Sequence, residues 1–171
     1  MPGVLRCCGC GRPARTSDFH RPVFTSGASK LVTSSVVVVD TNVLISGLLT
    51  TDGSAPTASI LDAMLKGKIR AVLSLELLAE YREVLLRSAI RSRHGLEESE
   101  IDTILTAIAE NAIVCEPAEP PTPPPDPGDL HLWSILAVRR DAVLITGDHA
   151  LVVGSPEWAT VVSPREFVSC R

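Results

Sequence analysis

The sequence predicts an α/β domain of three layers, with helices on both faces of a central parallel β-sheet. Three observations carry that expectation. Val36-Val37-Val38-Val39 is an unbroken β-branched run, the pattern of a strand packed on both faces. A helical stretch and a second apolar strand follow it, and strand–helix–strand order predicts parallel pairing with a right-handed crossover. Late in the chain the opening pattern returns: Ala142–Ile145 is apolar and runs into Thr146-Gly147-Asp148, as Val39 runs into Asp40-Thr41-Asn42.

The totals agree with one such domain. A chain of 171 residues can bury a core without metal or disulfide staples. No apolar run approaches the ~20 residues of a membrane span, and the first residues lack the apolar stretch of a secretory leader. The expectation is a soluble, cytoplasmic protein with no membrane partner. The net charge is −4, unevenly spread: residues 1–35 hold five basic side chains and one acid, leaving eleven Lys/Arg against nineteen Asp/Glu in the remainder. So acidic a domain suits a metal-binding cleft better than a general polyanion binder. Aromatics make up only 4% of the chain, too few for base stacking to dominate recognition of a single strand.

Two domains of unequal character are expected, a disordered extension over 1–35 and the α/β domain over 36–171. The extension is rich in Gly, Pro, Ser, Thr and Arg and has no sustained periodicity. Cys7, Cys8 and Cys10 contain one CxxC, with His20 the only other nearby donor. A zinc site needs four ligands, so incidental cysteines are the better reading. An over-long N-terminus, with translation starting near Leu31 or Val32, is a further reading. Cys115 and Cys170 read as small hydrophobes.

Within the domain, Val43–Leu49 forms a short helix with Thr41 as its cap, and Thr50–Ala55 is a loop. Pro56 opens the next helix and Gly67 lies just past its end, with Ile60, Leu61, Met64 and Leu65 as the apolar stripe. Ile69–Leu73 is the second strand. Ser74 caps a helix from Leu75 to Ser88 or beyond, with Leu77, Leu78, Tyr81, Val84 and Leu85 facing inward. At roughly 100° per residue, Glu76 and Glu83 face outward, while Glu80 sits about 40° from Val84 at the margin of the stripe. Arg82, Arg87, Arg91 and Arg93 make this the most basic part of the domain, either a phosphate-facing arm or a solvated helix face.

Glu97–Asn111 is a helix with Ile101, Ile104, Leu105 and Ile108 on one side, and Ala112–Cys115 a brief third strand. Glu116–Pro125 carries six prolines in ten residues and reads as an extended connection without packing of its own. It delivers Asp126-Pro127, an N-cap followed by proline at the first helical position. Asp129 shares a helical line with Leu132, Trp133 and Leu136, the line that meets the sheet, so Asp129 is assigned to chemistry and Asp126 to structure. His131 lies off that line and receives no role. Ala142–Ile145 is the fourth strand, His149–Val153 a short helical segment, Thr160–Val162 a last strand and Pro164–Val168 a terminal turn.

Asp40 and Asp148 at strand ends, Glu80 at a helix margin and Asp129 at a helix start can all face one crevice at the carboxyl edge of the sheet. Four carboxylates there repel one another and are costly to ionise. Mg²⁺ or Mn²⁺ relieves that cost, because oxygen ligands with retained waters are what these ions prefer. Such an ion also activates water and steadies phosphodiester charge. The chain has no Gly-rich phosphate loop, no HExxH and no plausibly spaced Ser/His/Asp set.

The set Val39-Asp40-Thr41-Asn42, Glu80 in Leu77-Leu78-Ala79-Glu80-Tyr81, Asp129 after Asp126-Pro127, and Thr146-Gly147-Asp148 resembles the PIN-domain ribonucleases. Among these it is most similar to the bacterial PIN toxins of toxin–antitoxin pairs (VapC-like). The resemblance spans Val36 to Phe167. It implies that Asp40, Glu80, Asp129 and Asp148 are catalytic, metal-binding acids supported by hydrogen bonds from Asn42 and Thr146. It implies a Mg²⁺- or Mn²⁺-dependent endoribonuclease acting on single-stranded RNA, with an antitoxin protein as partner and a homodimer as a common assembly. Arg82 and Arg87 are the candidate RNA contacts. The cysteine-bearing extension, the long Pro-rich connection and His149, where a lysine is frequent, depart from the family pattern. Two alternatives stand beside this reading. One is a non-catalytic PIN-like module that binds RNA or protein. The weaker is an aspartyl phosphotransferase, which Asn42 two residues after Asp40 disfavours.

Overall fold

The computed structural model describes residues 36–169; the extension over 1–35, its cysteines and Cys170 lie outside them. Five parallel strands form one sheet in the order β3-β2-β1-β4-β5. They are β1 (Val36–Val39), β2 (Arg70–Leu73), β3 (Ile113–Val114), β4 (Val143–Ile145) and β5 (Thr160–Val162). Eight α-helices surround it: α1 (Thr41–Leu49), α2 (Pro56–Leu65), α3 (Leu75–Leu86), α4 (Ser88–His94), α5 (Glu98–Glu110), α6 (Leu130–Val138), α7 (His149–Val153) and α8 (Pro164–Ser169). This is the three-layer α/β/α architecture.

β1 occupies the centre. Val37, Val38 and Val39 are all buried, as expected of a strand paired on both sides and covered on both faces. Val37 pairs with Ala71 of β2 and with Val143 of β4, and Val39 with Ile145. The core continues outward through Leu44, Ile60, Met64, Leu77, Leu85, Ile101, Ile108, Trp133 and Leu136.

α1 starts two residues earlier than expected, and its cap is Asp40 rather than Thr41. The Asp40 side chain accepts the Asn42 N–H at 3.1 Å, which satisfies one of the donors left open at a helix N-terminus. Thr41 turns inward instead and is buried. Gly47 of α1 meets α2 so closely that an added Cβ would stand 2.6 Å from the Thr57 carbonyl oxygen and 3.2 Å from Leu61 Cβ. Gly67 follows α2 at φ +62°, a left-handed conformation that glycine adopts without steric penalty.

The long helix expected from Leu75 divides at Arg87, whose ψ of 131° is extended. A side chain fills the break. His94 Nδ1 accepts the Leu96 N–H at 2.9 Å, so its Nε2 carries the proton and donates to the Leu85 carbonyl at 3.0 Å. The ring therefore satisfies an open carbonyl at the end of α3 while accepting an N–H from the residues that follow α4. No proline or glycine marks that break in the sequence.

The Pro-rich connection has no regular structure, as expected, but it is packed against the body. Ala118 N–H donates to the Ser134 carbonyl at 3.1 Å, Trp158 Nε1 donates to Thr122 Oγ1 at 3.0 Å, and Pro124 is buried. Trp158 stands edge-on to the buried Trp133, with centroids 6.5 Å apart, and lies under the Arg140 guanidinium at 4.7 Å. Aromatic and cation–π contacts thus hold a segment that has few backbone N–H groups to offer.

Replacing Gly47 by alanine is expected to destabilise the domain, since overpacking costs ~1–3 kcal/mol against at most about 1 kcal/mol gained in helix propensity. Urea unfolding reads the difference, and a midpoint equal to or above that of the parent would contradict the close α1–α2 approach.

Candidate active site

The acid cluster is built from the sheet outward. Because Val39 pairs with Ile145, the next residues, Asp40 and Thr146, emerge side by side at the carboxyl edge. Asp40 N–H continues the ladder to the Ile145 carbonyl at 3.0 Å. Thr146 Oγ1 donates to Asp40 Oδ2 at 2.6 Å and accepts the Asp148 N–H at 2.9 Å. One fully buried hydroxyl thereby fixes Asp40 and orients the backbone of Asp148. Asp40 itself is only 6% exposed; burying a carboxylate is costly unless hydrogen bonds and nearby charge compensate it.

Glu80 reaches the site from α3, half-buried at the margin where its helical phase puts it. Thr41 Oγ1 donates to Glu80 Oε1 at 2.8 Å. The adjacent Tyr81 is fully buried, and its hydroxyl donates to the Val39 carbonyl. Burial, followed by the charges of Asp40 and Glu80, pushes that phenol well above its ordinary range, so it remains a donor. The two contacts pin α3 to the end of β1.

Asp126, Pro127 and Gly128 set the approach to Asp129. Asp126 accepts the Gly128 N–H at 2.8 Å and caps a single 3₁₀ turn, Pro127–Asp129, which leads into α6. Asp129 is half-buried. Burial raises its affinity for a proton, and the negative charges of Asp40, Asp126 and Asp148 raise it further, while His131 works the other way. The charges of Asp40 and Asp148 both act on Asp129. Asp148 is exposed and caps α7, accepting the Ala150 N–H at 2.7 Å.

His131 corrects the sequence expectation. Its helical phase lies off the line that meets the sheet, yet its side chain is 10% exposed and Nε2 lies 2.8 Å from Glu80 Oε2. α6 is covered by α3 as well as by the sheet, so a residue off the sheet-facing line meets another helix rather than solvent. Despite that separation Nε2 makes no hydrogen bond of acceptable direction; the contact is close in distance but poorly aimed. Nδ1 stands 3.0 Å from the Gly128 carbonyl. A carbonyl can only accept, so Nδ1 carries a proton.

Asn42 contributes its backbone N–H to Asp40, while its side chain is exposed. Of the two candidate RNA contacts, Arg82 is held by Asp102 at 2.7 Å and by Glu98, and Arg87 pairs with Glu83 at 3.0 Å. Arg87 also lines a groove of about 640 Å³ with Asn42, Ser46 and Arg93.

Residues 36–150 match the family model described as the PIN domain. The chain belongs to the PIN domain family. PIN domains are generally nucleases, and they typically use divalent metal ions. No characterised protein matches this PIN domain chain in sequence. Among the described residues, no three His, Cys, Asp or Glu side chains form a group that could hold a metal ion. Carboxylate oxygens are the donors that such ions take, and Asp129 is the acid whose proton affinity burial and then the charges of Asp40, Asp126 and Asp148 raise.

Two outcomes follow from this geometry. Thr146→Val strips a donor from buried Asp40 and is expected to cost ~1–3 kcal/mol in urea unfolding, with Thr146→Ser recovering most of it; equal midpoints for all three proteins would remove the hydroxyl from its central place. Asp129 binds its proton more readily when folded, so the stability it contributes is complete below the ordinary value of 3.8 and is lost as pH rises through the raised folded value. Asp129→Asn in chelator is therefore expected to melt higher than the parent at pH 7, with the gain fading as the pH falls towards 4. A pH-independent difference would sink that account.

Proposed function

We propose that this PIN domain is a metal-dependent endoribonuclease that hydrolyses single-stranded RNA, and that it serves as the toxin of a toxin–antitoxin pair. The observation that supports it most is at Asp129, where burial and then the charges of Asp40, Asp126 and Asp148 raise the affinity for a proton. Uncompensated anionic crowding of this kind is typical of sites that receive a cation.

Asp40, Asp129, Asp148 and Glu80 are the residues that would hold Mg²⁺ or Mn²⁺. The ion would supply charge to offset the phosphodiester oxygens and acidity to activate water. The chain supplies the rest. Thr146 keeps the Asp40 carboxylate in one orientation, and Thr41 does the same for one oxygen of Glu80. Fixing the carboxylates before substrate arrives avoids reorganising them during the reaction.

Arg87 and Arg93, at the groove that Asn42 joins to the acid edge, are suited to phosphates of the strand flanking the cut. Arg82 is less suited, because Asp102 and Glu98 already match its charge. A strand path of this kind favours single-stranded RNA over a stiff duplex. The toxin role rests on similarity to the PIN toxins and implies a protein antitoxin; a homodimer is part of the same proposal. A non-catalytic PIN module is the second reading, favoured by Glu80 having Thr41 and His131 at its two oxygens.

The test is Asp40→Asn with purified protein on single-stranded RNA in Mg²⁺ and in Mn²⁺, together with induced expression in a host cell. Cleavage is expected to drop by at least about 10²-fold, and growth arrest to disappear. Unchanged cleavage and arrest would rule out the site, and absence of cation binding by calorimetry would favour the non-catalytic reading.

A further inference from the structure

We infer that Asn42 is a specificity-determining residue, whose carboxamide reads an adenine base in the groove between α1, α3 and α4, beside the scissile phosphate. The inference rests on the ribonuclease reading above and adds to it the base that the site selects.

The first argument is the open line of α1. Of the residues of this helix only Asn42 and Ser46 are exposed, and the others are buried or half-buried. The two stand one turn apart, about 6 Å along the axis, and both line the groove of about 640 Å³. Among the described residues neither side chain makes a hydrogen bond; only the backbone of Asn42 is engaged, at Asp40. Neither residue is a strong helix former, so α1 itself does not call for them.

The second argument is what surrounds that line. Ile45, Leu49, Val84 and Ile90 give the groove an apolar floor, and the exposed Arg87 and Arg93 bring two positive charges to it. No carboxylate lines the groove, although residues 36–171 hold nineteen acids against eleven bases. Arg93 has no acidic partner among the described residues. A strand of phosphates carrying flat bases matches these walls: guanidinium groups take the phosphates, and the floor takes the face of a base. With no aromatic ring in the groove, a base is chosen there by its edge rather than by stacking.

The third argument is the chemistry of the edge. A carboxamide offers a donor and an acceptor side by side. Adenine presents the complement, the N6 donor beside the N7 acceptor, whereas the same edge of guanine carries two acceptors and calls for Arg or Lys. Asn42 is also next to the chemistry, because its backbone N–H donates to Asp40 Oδ1 at 3.1 Å. A base held by its side chain therefore belongs to a nucleotide bordering the cut.

The experiment has two arms, both on the full chain. In the first, a randomised single-stranded RNA is cut in Mn²⁺ and the new ends are sequenced. The parent is expected to favour adenine over guanine by about 5–150-fold at one position flanking the cut. Asn42→Ala is expected to flatten that position alone. In the second arm, fluorescence anisotropy in chelator follows short RNAs that carry adenine, 7-deazaadenine (no N7 acceptor) or purine (no N6 donor). The parent is expected to bind both analogues more weakly than adenine, and Asn42→Ala to bind all three alike. The response of the parent to the analogues is readable even if no variant folds. A preference for guanine or for no base, or an adenine preference that survives Asn42→Ala, overturns the inference and leaves the nuclease reading standing. Analogue-sensitive binding that depends on Asn42 in a protein that cuts no RNA upholds the reader and removes the activity. A chain that neither binds nor cuts RNA overturns both, the result expected if the groove takes a protein segment instead.

Discussion

The hydrogen bond from Thr146 to Asp40 is the constraint on which the acid cluster depends. It joins residues 106 positions apart, and the sheet register brings them together. Val39 opposite Ile145 makes Asp40 and Thr146 neighbours by construction. A slip of one residue in either strand would send the carboxylate to the opposite face. The hydrogen bond in turn makes the buried acid tolerable, since a carboxylate 6% exposed must find donors within the protein. Packing of the valine strand and chemistry at its end are therefore a single specification.

The helices add to this edge by tethers of a different kind. α3 is drawn to β1 by two polar contacts at adjacent positions, Thr41 with Glu80 and Tyr81 with Val39. α6 approaches through a 3₁₀ turn that presents Asp129 and His131 within three residues. The acids come from four separate elements, and Asp40, Glu80 and Asp148 are each held by a hydroxyl or a backbone amide. Where such donors run out, at Asp129, burial and then the neighbouring charges show as a raised proton affinity.

The fold was legible because its strands are apolar runs with clear ends. Val36–Val39 could only be central, and Pro56 with Gly67 bounded a helix by backbone restrictions that do not depend on context. The acid edge was legible because strand ends and helical phase are local properties; the marginal angle of Glu80 follows from rotation alone. What could not be read were effects of one element on another. The division at Arg87 depends on a histidine ring seven residues on reaching back to Leu85. Thr41 gave up the cap because Glu80 was within reach. Helical phase places His131 off the sheet-facing line, but α6 is covered by α3 as well as by the sheet. The nearest available signal was composition: Leu132, Trp133, Ile135 and Leu136 bury more of α6 than a single sheet-facing line, although Leu130 stays exposed.

The central place of β1 has a consequence for the timing of synthesis. Of the five strands described it is the first in the chain, and it lies between β2 and β4. Asp40 therefore emerges from the ribosome with neither the strand that completes its pairing nor the hydroxyl that holds it. At roughly 5–20 residues per second, the 106 positions to Thr146 take on the order of 5–20 seconds. Throughout that interval the nascent chain carries an acid without its support, and non-local pairing cannot reward the closure of so long a loop any earlier. In a domain wound in this order the acid edge is completed only once β4 and Thr146 have been made.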